Sequence, residues 1–310
     1  MAVVTQQGAG ARQALPLRRR RPRLSAFTVI NSIVLSLVAA ACLFPMIHMI
    51  AVSFSTRALV LAGEVVFWPR GFNTASYTWV LLQGGFWASM WVSAQRMVVG
   101  IVVNVVLVLL LAYPLSKERH EFRARTLYVW FFFFTMLFEG GLIPLYMTVS
   151  MLGMLDTIWA LVLPRGVQVF LVLLMLNFFR QVPGELQDAA EIDGAGKWRI
   201  LWQVYVPVSL PAIATITLFS GVFHWNSWFD GLIYANHPDR YPVQTYLQIL
   251  LRGDILSQAT SLSEIGEIFH LSNRTVRSAY IVIGIVPILA LYPFLQRYFI
   301  KGIVIGSVKG

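Results

Sequence analysis

Side chains able to do chemistry are few and widely spaced in this sequence. Cys42 is the single cysteine and sits in an apolar run, so no internal disulfide framework or cysteine-built zinc site is available. His224 has no second metal ligand at helical spacing, no nucleophile–base dyad stands out, and the phosphate-loop pattern G-x4-G-K-[ST] is absent. Bond-making chemistry and nucleotide hydrolysis therefore have no residues to carry them. Binding chemistry remains, in three places. Residues 180–211 form a polar, strongly patterned segment. Residues 224–230, HWNSWFD, mix tryptophan faces with hydrogen-bonding groups. Glu139 stands in the run FEGGLIP, beside Gly140 and Gly141.

The rest of the chain supplies the elements that hold these residues. Of the 310 residues, 57% are hydrophobic and only 12% charged, whereas a water-soluble domain carries about 25% charge. Mean hydropathy is +0.69. Such a chain cannot clothe a soluble surface, and the same numbers exclude disorder, coiled coil and collagen-like repeats. A membrane-spanning helix needs roughly 20 apolar residues. Six stretches qualify: 26–53, 90–115, 126–151, 157–179, 209–229 and 277–300. Continuous apolar runs such as 102–111 exclude a barrel of short alternating strands. The expected fold is an all-α membrane protein with six transmembrane helices.

Basic residues orient the spans, since lysine and arginine are retained on the cytoplasmic side. With the N-terminus inside, sixteen of the twenty-four basic residues fall on inner segments, including Arg18, Arg19, Arg20 and Arg21, the group Lys117 to Arg125, and Lys197 and Arg199. Both termini are thus expected in the cytoplasm. The net charge of +10 reads as a topology signal with affinity for membrane lipid headgroups rather than for nucleic acid. Four regions follow: a basic tail (1–25), a first span with its outer loop (26–87), a transmembrane core (88–300) and a C-terminal tail (301–310). A second large outer loop runs from 231 to about 276, with an amphipathic stretch at 241–252.

The segment 180–211 reads as helix, glycine turn, helix on the inner face. Pro183 suits a first helical position, with Glu185 and Asp188 favourable near the positive helix N-terminus. The first helix runs to about Asp193, and Gly194 stops it. A second helix starts near Lys197, amphipathic through Ile200, Leu201, Val204 and Tyr205, and Pro207 and Pro211 turn the chain back. Ala189, Ala190 and Ala195 permit close backbone approach, Leu186 and Ile192 supply apolar contact, and Asp188, Glu191 and Asp193 rim it. A docking helix for a partner's groove and a hairpin packed under its own membrane domain both fit this pattern.

The spacing Asp188-Ala189-Ala190, Gly194, then Val204, Val206 and Pro207 resembles the EAA motif, E-A-A-x3-G-x9-I-x-L-P, of bacterial ABC-importer permeases. Asp188 stands for the usual glutamate, and two valines replace isoleucine and leucine. The flanking residues and the closing FLQRYFIKGIVIGSVKG are similar to the carbohydrate-uptake branch, the MalG/LplC/YtcP-like inner-membrane components, over roughly 90–310.

That resemblance implies a MetI-like ABC permease fold with cytoplasmic coupling helices in the bacterial inner membrane. It implies a second homologous permease subunit, a dimeric cytoplasmic ABC ATPase and an extracytoplasmic solute-binding protein as partners. No cofactor is expected in this chain, ATP and Mg being bound by the ATPase, and no metal or catalytic residue either. Glu185, Asp188, Ala189, Ala190, Asp193, Gly194 and Ala195 are the ATPase-coupling candidates. The cargo implied is an oligosaccharide, possibly one containing uronate. Sugars present apolar C–H faces and hydroxyls, so Trp225, Asn226 and Trp228 are pathway candidates, set against an interfacial aromatic belt. Glu139 either faces the pathway or pairs with Arg165 as a structural bridge. Asn104 and Asn177 read as interhelical hydrogen-bond glue. The rival readings are an ion-coupled secondary transporter working alone and a permease for a non-sugar cargo.

Overall fold

The computed structural model describes residues 26–252 and 272–307, and among them every regular element is helical. The chain divides into two compact units, Met1–Met46 and Ile47–Gly310. The described part of the first belongs to helix α1 (Ala26–Ser53), where Phe27, Ile30, Leu37 and Leu43 are all exposed. Over residues 26–45 the helix is apolar and exposed all round, the pattern of a helix that meets lipid or another apolar surface.

In the second unit, α2 (Arg57–Leu61) and α3 (Ala75–Leu82) lead into α4 (Gly84–Ser116). Helices α5 (Arg125–Leu137), α6 (Leu142–Met151), α7 (Ile158–Val162) and α8 (Val169–Phe179) follow. Then come α9 (Gly184–Ile192), α10 (Lys197–Ile200), a π turn (Leu201–Tyr205) and α11 (Val206–Val208). The chain closes through α12 (Leu210–Asn226), α13 (Phe229–Tyr234), α14 (Val243–Arg252) and α15 (Asn273–Ser307).

Helix α4 is the mast of this unit. Its 33 residues make it about 50 Å long at 1.5 Å per residue. Helices α8 and α12 pack along it, and α15 packs against α12. Two buried clusters lie toward its opposite ends. Phe86 near the start joins Trp79, Trp225, Val243, Leu247, Val276 and Tyr280. Val108, Leu109, Ala112 and Tyr113 near the finish join Met175, Phe179, Ile200, Leu201 and Tyr205. The amphipathic stretch at 241–252 is α14, with Val243 and Leu247 buried.

The expected spans are more broken than the sequence suggests. Only Ala26–Ser53 and Gly84–Ser116 are single helices that pass as spans by length and composition among the described residues. Three others are bent pairs: Arg125–Leu137 with Leu142–Met151 at 111°, Ile158–Arg165 with Val169–Phe179 at 55°, and Lys197–Val208 with Leu210–Asn226 at 84°. The third bend, at Ser209, is where Pro207 and Pro211 predict it. The first corrects the reading of 126–151 as a continuous helix, because Gly141 adopts φ +88°, a conformation closed to most residues. Likewise the helix expected over 209–229 stops at Asn226, Ser227 takes extended backbone, and α13 restarts at Phe229.

Candidate functional site

Every break in a buried helix frees backbone polar groups that need new partners. Asn104 of α4, fully buried, supplies them at the α7–α8 break. Its Nδ2 donates to the carbonyls of Gly166 at 2.6 Å and Arg165 at 3.3 Å. Its Oδ1 accepts from Gln168 at 3.1 Å, Ser220 Oγ at 2.7 Å and His224 Nε2 at 3.0 Å. One amide thus joins α4, α12 and the break, as the interhelical-glue reading predicts. Gly100 makes this possible: a Cβ there would lie 2.3 Å from the His224 ring. Asn177, by contrast, is exposed.

Arg96, one helical stretch away on α4, does the same at the α12–α13 break. Its guanidinium is fully buried, donates to the Ser227 carbonyl at 2.9 Å and forms an ion pair with Asp230. Asp230 closes the segment 224–230 singled out in the sequence, but Arg96 is not among the sequence candidates. The signal was available, since a lone arginine inside an apolar run predicts an acidic partner.

In front of these anchors opens a cavity of about 1180 Å³. Three of the four breaks contribute to its wall: Glu139, Gly140 and Gly141 from α5–α6, Arg165 and Gln168 from α7–α8, and Asn226, Ser227 and Trp228 from α12–α13. Phe131, Phe170, Phe223 and Phe229 supply aromatic surface, and Thr135, Thr148 and Asp230 further polar groups. A wall of aromatic faces and scattered hydrogen-bonding groups suits a ligand that is apolar on its faces and polar at its edges.

The structure separates the pathway candidates. Glu139, Asn226 and Trp228 line this cavity. Trp225 does not. It is 3% exposed and donates its indole N–H to the Gly284 carbonyl at 3.0 Å, within the buried cluster. Nor do Glu139 and Arg165 bridge one another, although both face the same space. Arg165 lies over the Phe223 ring, 5.8 Å from its centroid, and Glu139 occupies the exposed α5–α6 break rather than a mid-helix position.

The segment 180–211 folds as helix, turn, helix. Pro183 is the residue before α9 rather than its first, and α9 ends at Ile192. Gly194 takes φ +75° and donates its N–H to Glu191 O at 3.0 Å, while Ala195 donates to Ala190 O at 2.9 Å. This left-handed closure satisfies the helix's last carbonyls. The small residues divide between two faces. Ala190 and Ala195 pack against the unit's own core, whereas Glu185, Asp188, Ala189, Asp193 and the 86%-exposed Ile192 face outward. Glu191 accepts from Lys197 at 2.6 Å, a contact that holds its carboxyl below the usual range. Beneath α9, Gln187 is buried and bonded to Lys117 and Tyr205. The tail expected at 301–310 is helical to Ser307, and 308–310 fall outside the described residues, as do the basic residues before Ala26.

Helices apolar toward their surroundings, broken around one polar and aromatic cavity, define a membrane transport component. The family of binding-protein-dependent transport system inner membrane components matches residues 85–305, and the chain belongs to that family. It is 39% identical to Protein LplC of Bacillus subtilis (strain 168) over 92% of this chain and 95% of that one. It is 36% identical to the polygalacturonan/rhamnogalacturonan transport system permease protein YtcP of the same organism, over 89% and 96%. Among solved structures, it resembles a bacterial ABC transporter involved in the import of the acidic polysaccharide alginate. There the TM-score is 0.80 at 31% identity, over 90% of this chain and all of the other.

Proposed function

We propose that this chain is the permease subunit of an ATP-driven importer that carries an oligosaccharide, uronate-containing in the reading we favour, across the bacterial inner membrane. The observation that carries it is the convergence of the α5–α6, α7–α8 and α12–α13 breaks on one cavity, walled by aromatic faces and hydrogen-bonding side chains. Broken helices lining a cavity are how membrane proteins expose polar backbone to a solute. The cargo class draws on the relatives, one named for polygalacturonan and rhamnogalacturonan and one involved in import of the acidic polysaccharide alginate.

In this account six spans place both termini in the cytoplasm. Helix α9 docks on a dimeric ABC ATPase, which binds ATP and Mg. A second homologous permease completes the membrane domain, and an extracytoplasmic binding protein delivers the sugar. Glu185, Asp188, Ala189, Asp193 and Ile192 make the outward docking face, while Ala190, Gly194 and Ala195 shape the turn that presents it. Trp228 and Asn226 contact the cargo, and Glu139 and Arg165 face it from the opposite breaks.

Deleting the chain from its source bacterium and growing the strain on a panel of neutral and uronate-containing oligosaccharides tests this. Loss of growth on a uronate-containing member, with growth on monosaccharides kept, supports the reading. Unchanged growth across the whole panel contradicts it.

A further inference from the structure

Lys117 follows directly on the last residue of α4 and is 8% exposed. Its ammonium donates to Gln187 Oε1 of α9 and, at 2.8 Å, to the Tyr205 hydroxyl in the π turn. It lies 4.4 Å from the Tyr113 ring centroid and 4.2 Å from that of Tyr205. The Tyr205 hydroxyl itself donates to Gln187 Oε1 at 2.9 Å, and Gln187 Nε2 donates onward to Glu121 at 3.2 Å and Glu191 at 2.9 Å. Both limbs of the loop segment and the end of α4 therefore meet on one cation.

This arrangement is costly as mere packing. A methionine or leucine would fill the space between two tyrosine rings without desolvating an ammonium, and uncharged replacements of buried ions are often neutral or stabilising. What a buried cation with directed donors adds is register: apolar surfaces slide, whereas a ligated ammonium fixes which atoms meet. The position relative to the cavity gives that register a use. The same helix carries Arg96 and Asn104, which hold the α12–α13 and α7–α8 breaks from behind the cavity wall.

We propose that Lys117 is the positioning residue that makes α9 and α4 one rigid body, so that a push on α9 reaches the cavity walls through Asn104 and Arg96. The proposal rests on the reading of α9 as the ATPase-docking helix. Without the tie, α9 would swing on its flanking turns and the displacement would be lost at the loop. Coupling through a fixed element of this kind is established by showing that both ends move together.

The test uses the full complex with its ATPase, purified in mild detergent. Cys42→Ser clears the native thiol, and nitroxide labels go on Gly184→Cys at the start of α9, where a Cβ meets nothing within 4 Å, and on Val106→Cys in α4, both exposed. Their separation is read by pulsed electron spin resonance without nucleotide and with ATP plus vanadate. With Lys117 present, the separation stays the same in both conditions. In Lys117→Met, with the ATPase still bound, it becomes nucleotide-dependent. A separation that ignores nucleotide in Lys117→Met overturns the proposal, and so does one that changes with nucleotide when Lys117 is intact. If Lys117→Met does not fold, Gln187→Leu breaks the tie from the α9 side and is judged by the same two results. Failure of the unlabelled wild-type chain to retain any ATPase removes the docking reading itself. A negative result with ATPase bound removes only the tie.

Discussion

Arg96 and Asp230 form an ion pair across the back of the cavity wall, 134 residues apart in sequence. The arginine is completely buried in α4, and the aspartate, its side chain 18% exposed, is a cavity-lining residue. Because the same guanidinium also takes the Ser227 carbonyl, the pair fixes the short extended link between α12 and α13. That link aims Trp228 at the cavity while Trp225, one turn earlier, stays in the core.

Removing the carboxylate leaves the arginine charged with nowhere to go. Asp230→Ala should cost about 3–5 kcal/mol, as loss of one partner of a buried pair does, and lower the thermal midpoint of the detergent-purified protein. The double variant Arg96→Met/Asp230→Leu should recover much of that loss. Equal stability of Asp230→Ala and wild type would contradict the role of the pair.

The two tryptophans of HWNSWFD should fail in different ways. Trp225→Ala empties a buried site and should cost about 3–5 kcal/mol, visible as a stability loss. Trp228→Ala should lose less stability and instead raise the oligosaccharide concentration needed for half-maximal uptake. Identical phenotypes for the two would undo their assignment to core and cavity.

How much of this was legible in the sequence depends on how local each cause is. The helix–turn–helix at 180–211 is written by Pro183, Gly194, Pro207 and Pro211, whose backbone restrictions act within a few residues; both ends of its first helix and the start of its second come out within one position, while the second runs on through a π turn and Pro207 to Val208. Asn104 is legible too, because an amide in an apolar helix must find partners. The α5–α6 bend is only half legible. Gly140 and Gly141 mark a weak point, but nothing local in the sequence specifies the 111° angle. Which of Trp225 and Trp228 is buried was hidden, since it turns on a helix break held open by an arginine 131 residues away from Ser227. Lys117 passes for an ordinary basic residue at a span end until the fold shows it buried.

Gly194 separates a conformational need from a packing need. A Cβ there would meet nothing within 4 Å, and φ is +75°. Gly194→Ala should therefore cost only the left-handed penalty, about 1–2 kcal/mol, and leave uptake measurable. Gly194→Pro forces a negative φ near −65° and deletes the N–H that closes α9 onto Glu191. It should uncouple uptake from ATP hydrolysis while insertion into the membrane persists. The measurement is sugar accumulated per ATP hydrolysed, and near wild-type uptake in Gly194→Pro would contradict the coupling role.

Lys117 gives a pH signature. Burial pushes its ammonium down from an ordinary 10.5 to about 8, with Lys197 acting in the same direction and Glu121 and Glu191 opposing it. Between these two values the folded protein has released a proton that the unfolded chain still holds, so this group's contribution to stability rises with pH across that window. The thermal midpoint of wild type relative to Lys117→Met should therefore shift in favour of wild type as pH is raised from 8 toward 10.5. A difference that stays flat, or moves the other way, would show that Lys117 is not desolvated.

The central claim, that this chain conducts a solute while a separate ATPase drives it, meets its most direct test in purification from native membrane. The chain is tagged, extracted in mild detergent, and its co-purifying subunits identified by mass spectrometry. The account predicts an ABC ATPase and a second permease bound with it. Repeated recovery of the chain alone, in detergents that keep other importers of this class intact, would contradict it and favour an ion-coupled transporter acting by itself.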